Sequence, residues 1–77
     1  MRLILLSNGH YGVGNTPAYK LVTREREHLR LSKGEFAKRY KIDRSSQYAF
    51  ENGENRSLKL LIRELEAVGY DVHINVV

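Results

Sequence analysis

Cysteine is absent from the sequence, proline occurs once, and the longest uninterrupted aliphatic run, Leu3 to Leu6, covers four residues. Without cysteine the chain has neither disulfides nor the thiolate ligands of the commonest structural zinc sites. His10, His28 and His73 are too widely spaced to suggest a metal pair, so no metal and no cofactor are expected. The aliphatic run is too short for a membrane span or for the apolar core of a signal peptide, which points to a cytoplasmic protein without a membrane partner. A chain of 77 residues has room for one hydrophobic core, and such a core is marginal by itself. A second subunit is the support that these absences leave, so the expectation is a single domain over residues 1–77 that works as a homodimer.

Basic charge, by contrast, is plentiful and concentrated. Thirteen Lys and Arg stand against nine Asp and Glu overall, a formal charge of +4. Between Lys20 and Arg44 the ratio is nine to four. Clustered cations favour polyanions, because each phosphate they neutralise releases condensed counterions. A charge run of this kind is equally compatible with a plain solvated face, so the pattern needs a structural context.

That context comes from the order of apolar and capping residues. Residues 2–6 form a short apolar strand that runs into the turn-rich stretch from Ser7-Asn8-Gly9 to Asn15. Thr16 as N-cap and Pro17 at the first helical position start a helix that reaches about Arg30, with Ala18, Leu21, Val22 and Leu29 on one side. Ser32-Lys33-Gly34-Glu35 fits a capping box and opens a second helix that carries Phe36, Ala37 and Tyr40 inward. Asp43 caps a third helix, ending at Asn52-Gly53, and Ser57 caps a fourth with Leu58, Leu61, Ile62, Leu65 and Val68 at helical spacing before Gly69. From residue 70 to 77, Tyr70, Val72, Ile74 and Val76 alternate with polar residues, as in a half-buried strand. The reading is a mainly α, four-helix domain: a helical core over 17–69 between an N-terminal strand at 2–6 and a C-terminal strand at 70–77.

Two short helices joined by about three residues are the outline of a helix-turn-helix. The stretch Leu31-Ser32-Lys33-Gly34-Glu35-Phe36-Ala37-Lys38-Arg39-Tyr40, then Ile42-Asp43-Arg44-Ser45-Ser46, then Phe50-Glu51-Asn52-Gly53, resembles the Cro/repressor, or XRE-type, helix-turn-helix proteins. The resemblance covers roughly Val22 to Gly69. It implies a lambda-repressor-like domain, a buried pair between Arg26 and Glu51 that ties the first helix to the third, and a third helix that reads DNA. Arg30 and Lys41 stand where that family usually has glycine, which implies left-handed backbone at a cost of roughly 1 to 2 kcal/mol each. Gln47 stands where an aliphatic residue normally faces the core.

On that footing the chain is expected to be a transcriptional repressor that binds double-stranded DNA at a palindromic operator, either a phage or mobile-element regulator or an antitoxin-like autorepressor. Arg44, Ser45, Ser46, Gln47 and Tyr48 are the candidate base contacts, Gln47 only if the helix is rotated from the family's register. Lys33, Asn52 and Arg56 are the candidate phosphate contacts. Tyr70, Val72, Ile74 and Val76 are the candidate dimer interface, since an unpaired terminal strand gains from pairing across a twofold axis. The N-terminal strand could pair with it within one subunit or between two. A further protein partner, such as a toxin or another regulator, fits the antitoxin reading. No nucleophile–base pair stands out, so no catalytic activity is expected. The loop Gly9-His10-Tyr11-Gly12-Val13-Gly14 has the wrong glycine order for a dinucleotide fingerprint and no P-loop lysine. The rival reading is a protein-interaction module that keeps the helix-turn-helix without binding DNA.

Overall fold

The computed structural model of the chain describes residues 2–6 and 10–75. Its elements run β1 (Arg2–Leu5), β2 (Tyr11–Val13), β3 (Thr16–Pro17), α1 (Ala18–His28), α2 (Lys33–Arg39), α3 (Arg44–Glu51), α4 (Leu58–Ala67) and β4 (His73–Asn75). The four strands form one mixed sheet in the order β3-β2-β1-β4. The expected mainly α, four-helix lambda-repressor-like domain with two separate terminal strands is therefore corrected to a mixed α/β fold.

The sheet has a simple physical origin. β1 and β4 pair in parallel, with Leu3 opposite Ile74, and parallel pairing requires a long crossover between the strands. Here the whole helical region provides that crossover. On its other side β1 pairs antiparallel with β2, and β2 with β3. The stretch from Ser7 to Asn15, expected to be loop, thus contains a strand from Tyr11; residues 7–9 lie outside the described part. Gly12 concealed that strand from the sequence, because it carries no side chain to show alternation. It is required all the same, since a Cβ at Gly12 would be driven into the Thr16 carbonyl and would come within 2.8 Å of Leu6 Cδ1. Thr16 is correspondingly a strand residue paired with Val13. The N-cap of α1 is Pro17, without a side-chain cap, rather than Thr16.

The remaining caps form where the sequence placed them. Ser32 and Glu35 make the reciprocal capping box of α2, Asp43 accepts from the Ser46 amide at the start of α3, and Ser57 accepts from the Leu60 amide in α4. Each replaces orphan backbone donors with a partner. The helix ends share a different device, one left-handed residue each: Arg30, Lys41, Gly53 and Gly69. At Arg30 and Lys41, with φ 59° and 57°, the conformation is costly for a side chain, and the contacts that follow it hold it in place. Arg63 of α4 donates to the carbonyls of Tyr40 and Lys41 at 3.2 and 2.9 Å, and Arg26 donates to the Leu31 carbonyl at 2.6 Å.

The core lies between the sheet and the helices. Leu3, Val22, Phe36, Phe50 and Leu65 are fully or almost fully buried, joined by Ala18, Ala37, Ile42 and Leu61. Each large side chain among them contributes roughly 1.5 to 3 kcal/mol by leaving water. Leu29, expected on the apolar side of α1, is instead 47% exposed, because it is the C-cap residue of that helix. Tyr70 and Val72 pack half-buried against this same core, as the chain approaches β4.

Two substitutions separate steric from conformational requirements. Gly12→Ala is expected to cost about 1 to 3 kcal/mol in chemical denaturation, through overpacking of the β2–β3 hairpin. Arg30→Gly is expected to gain roughly 1 kcal/mol by relieving the left-handed side chain.

Candidate nucleic-acid interface

The position of α3 is set by a buried polar knot. Arg26 Nε approaches both carboxylate oxygens of Glu51, at 3.0 and 2.9 Å. Thr23 Oγ1 donates to Oε1 at 2.9 Å, and Gln47 Nε2 donates to Oε2 at 2.7 Å. The carboxylate therefore receives donors from α1 on one side and from its own helix on the other. Burial by itself would raise the Glu51 pKa; the hydrogen bonds from Arg26, Gln47 and Thr23, together with the Arg26 charge, outweigh it and hold the group below the usual 4.5. The expected Arg26–Glu51 pair is present, and it is larger than a pair.

Gln47 is fully buried in this knot, which corrects its expected role as a base contact. It occupies the core-facing position with a polar side chain because Glu51, one turn later, accepts its amide. The same placement orients the rest of α3. Arg44, Ser45 and Tyr48 lie on the exposed side. Ser46 is half-buried; its amide donates to the capping carboxylate of Asp43 at 3.1 Å, and its hydroxyl makes a longer contact of 3.4 Å to the same oxygen.

On the exposed side three of the expected residues converge. Lys33, the first residue of α2, places Nζ 5.1 Å from the Tyr48 ring centroid, and the Arg44 guanidinium lies 5.6 Å from the same ring. A ring between two cations gains from cation–π attraction, about 0.5 to 1 kcal/mol at exposed sites. The guanidinium also approaches the Tyr48 hydroxyl and lowers that phenol's pKa, first by hydrogen bonding and then by charge; the reciprocal effect raises that of Arg44. The Arg44 guanidinium passes over Gly34, where an added Cβ would lie 3.5 Å from Nε, in ordinary van der Waals contact. The result is a pair of cations on the exposed side of the α2–α3 junction, around an aromatic ring. Asn52, exposed at the C-cap of α3, follows Tyr48 by one turn. Arg56 is exposed beyond Gly53, in the connection to α4, and no contact joins it to the cluster.

The expected dimer residues are divided by the structure. Tyr70 and Val72 pack on the core of their own chain, Ile74 pairs with Leu3 of β1 and keeps 43% of its surface exposed, and Val76 lies outside the described residues. The structure thus uses one edge of β4 within the chain; the other has no partner strand among the described residues.

Sequence reasoning missed Thr23, Glu64 and Arg63. Thr23 stands three residues before Arg26 on α1, a spacing that places both on one side of a helix. Glu64 stands three after Leu61 and four before Val68, inside the apolar stripe of α4, and an acid in that position is itself a signal. Arg63 gave no such signal, because its partners are backbone carbonyls distant in sequence.

No helix among the described residues is long and apolar enough to cross a membrane. No protein-family model, curated protein or solved structure matches the chain.

Replacing Glu51 by Ala leaves Arg26 buried without a counter-charge, and a loss of about 3 to 5 kcal/mol is expected in urea unfolding. Because the folded-state pKa of Glu51 is depressed, its contribution is present above 4.5 and is lost as pH falls through the folded value. A Glu51→Gln variant should therefore lack part of the acid-induced loss of stability that the unaltered protein shows below that pH.

Proposed function

We propose that the chain is a sequence-specific double-stranded DNA-binding protein, a transcriptional repressor that acts as a homodimer on a roughly palindromic operator. The observation that carries this reading is the joint presentation of Lys33, Arg44 and Tyr48 on the exposed side of the α2–α3 unit, while the buried side of α3 is anchored to α1 through Glu51. A helix anchored on one side and cationic on the other matches the width and potential of a major groove. The helix-turn-helix resemblance between Val22 and Gly69 supports the same docking.

In this mode Arg44 reads base edges, with a bidentate pair to guanine as its natural target, and Ser45 and Tyr48 extend the contact. Lys33 at the start of α2 supplies phosphate contact, with Asn52 and Arg56 flanking the recognition helix. A single helix covers too few base pairs for selectivity, so two copies engage successive major grooves about 34 Å apart. The free edge of β4 is the surface we assign to that second copy. Repression follows from occlusion of the promoter, in a phage or mobile-element regulator or in an antitoxin-like autorepressor.

The reading is tested by titrating a fluorescent random duplex pool at several salt concentrations, followed by selection of bound sites. Affinity should fall steeply with salt; absence of binding at low ionic strength contradicts the proposal and favours a protein-interaction module. On the selected site Arg44→Ala should cost about 1 to 3 kcal/mol and relax one base position, with little effect on unrelated duplexes. Lys33→Ala should weaken all duplexes alike and reduce the salt slope by about one.

A further inference from the structure

Two helices of the candidate interface begin with a cation: Lys33 is the first residue of α2 and Arg44 the first of α3. That is the least favourable helical position for positive charge, because the free amides of a first turn are themselves positive. Lys38 and Arg39, in the last turn of α2, stand where the same field favours them. The acids beside the two leading cations do not pair with them. Glu35 accepts from the Ser32 amide and Asp43 from the Ser46 amide, and the salt bridges among the described residues lie elsewhere, at Arg26–Glu51 and His73–Asp71. Helix stability therefore does not explain why Lys33 and Arg44 stand together.

What they share is the Tyr48 ring. Lys33 Nζ lies 5.1 Å from its centroid and Arg44 Cζ 5.6 Å, so one aromatic side chain contacts a cation from each helix. The ring belongs to α3, one turn beyond Arg44. It keeps 39% of its surface exposed and stands outside the hydrophobic core. Arg44 also borders Gly34 of α2, with Nε and Cζ 3.5 and 3.6 Å from the place of a Cβ. Long cationic stems on an open surface otherwise rotate among many conformers. A guanidinium can rest on a ring by its face while its N–H edge, the part that pairs with guanine, stays free. An ammonium beside a ring likewise keeps donors for phosphate.

We propose that Tyr48 is the positioning residue of this surface: its ring holds the Arg44 guanidinium and the Lys33 ammonium at a fixed separation, and so sets the register between base contact and phosphate contact before DNA arrives. The geometry concerns the free protein alone; the consequence for selectivity rests on the DNA-binding reading above. A preorganised pair loses less freedom on binding. A guanidinium held in place discriminates among bases, where a mobile one finds a partner on most sequences. Tyr48 thus contributes to selectivity through Arg44, in addition to any surface of its own that meets the duplex.

The first test needs no DNA. In the free protein the Arg44 Nε–H should show the high ¹H–¹⁵N heteronuclear NOE of an ordered side chain, and the Arg44 δ and Lys33 ε protons should be displaced by the ring current. Tyr48→Phe keeps the ring and should keep both signatures; Tyr48→Leu should lose both while its Tm stays near that of the unaltered protein. Signatures that are absent from the unaltered protein, that survive in Tyr48→Leu, or that Tyr48→Phe loses as fully as Tyr48→Leu overturn the proposal. The second test compares affinity for a selected duplex with affinity for an unrelated one. Tyr48→Leu should lower that ratio by about two- to fivefold, the share that one exposed cation–π contact supplies, with the salt slope unchanged because both cations remain. In an Arg44→Ala background the same substitution should have a smaller effect. An equal loss in both backgrounds shows a contact role alone and overturns the positioning. If no form of the protein binds DNA at low salt, the DNA reading fails, and the NMR comparison still decides whether the ring holds the two cations.

Discussion

The Glu51 carboxylate is the point on which the helical half of the molecule depends. Placing an anion in a protein interior costs several kcal/mol unless donors surround it, and here they come from Arg26 and Thr23 on α1 and from Gln47 on α3. Those donors have geometry. A guanidinium edge and a hydroxyl three residues apart on α1 meet one carboxylate only at one rotation and one height of α3, whereas apolar packing by Phe50 alone would tolerate several. The knot therefore converts a merely buried helix into an oriented one, and orientation decides which side chains of α3 face solvent.

The consequences spread outward from that orientation. With Gln47, Phe50 and Glu51 turned inward, Arg44 and Tyr48 are turned outward, one helical turn apart, beside Lys33 of α2. Arg26 also ties down the Leu31 carbonyl, so the same side chain that orients α3 stabilises the left-handed turn leading into α2. Arg63 does the equivalent for the turn between α2 and α3. Two arginines thus hold two turns whose own residues, Arg30 and Lys41, are poorly suited to positive φ. The sheet is a separate device. It joins the two ends of the chain through β1 and β4 and sets Leu3 in the core beneath the helices, leaving β4 at its edge.

The extent to which this was legible in the sequence follows from the range of each interaction. The starts of α2, α3 and α4 were legible because a cap is local: Ser32 with Glu35, Asp43 and Ser57 each act within three residues, whereas α1 starts at Pro17 without a side-chain cap. The Arg26–Glu51 pair was reached through resemblance, since nothing in a spacing of 25 residues reveals it by itself. Sheet partners were not legible. The pairing of β1 with β4 spans the whole chain, and β2 hid behind Gly12, whose lack of a side chain is the condition for its place in the sheet. The role of Gln47 was misassigned for a related reason. It stood at a position that normally faces the core, and base contact was open to it only through a rotated helix; an acid four residues later gives its amide a buried partner instead.

These features combine into a single account, in which a buried carboxylate fixes the rotation of α3 and so gives the Lys33–Arg44–Tyr48 surface the rigidity that the proposed groove reading would require. A loosely held helix with the same charges would bind phosphate without distinguishing sequences. The most direct measurement is ¹H–¹⁵N NMR of the labelled protein titrated with a duplex selected from a random pool. The account predicts that the largest amide shifts cluster at Lys33, Arg44, Ser45 and Tyr48. Shifts confined to the sheet residues, or no shifts at low salt, would contradict it.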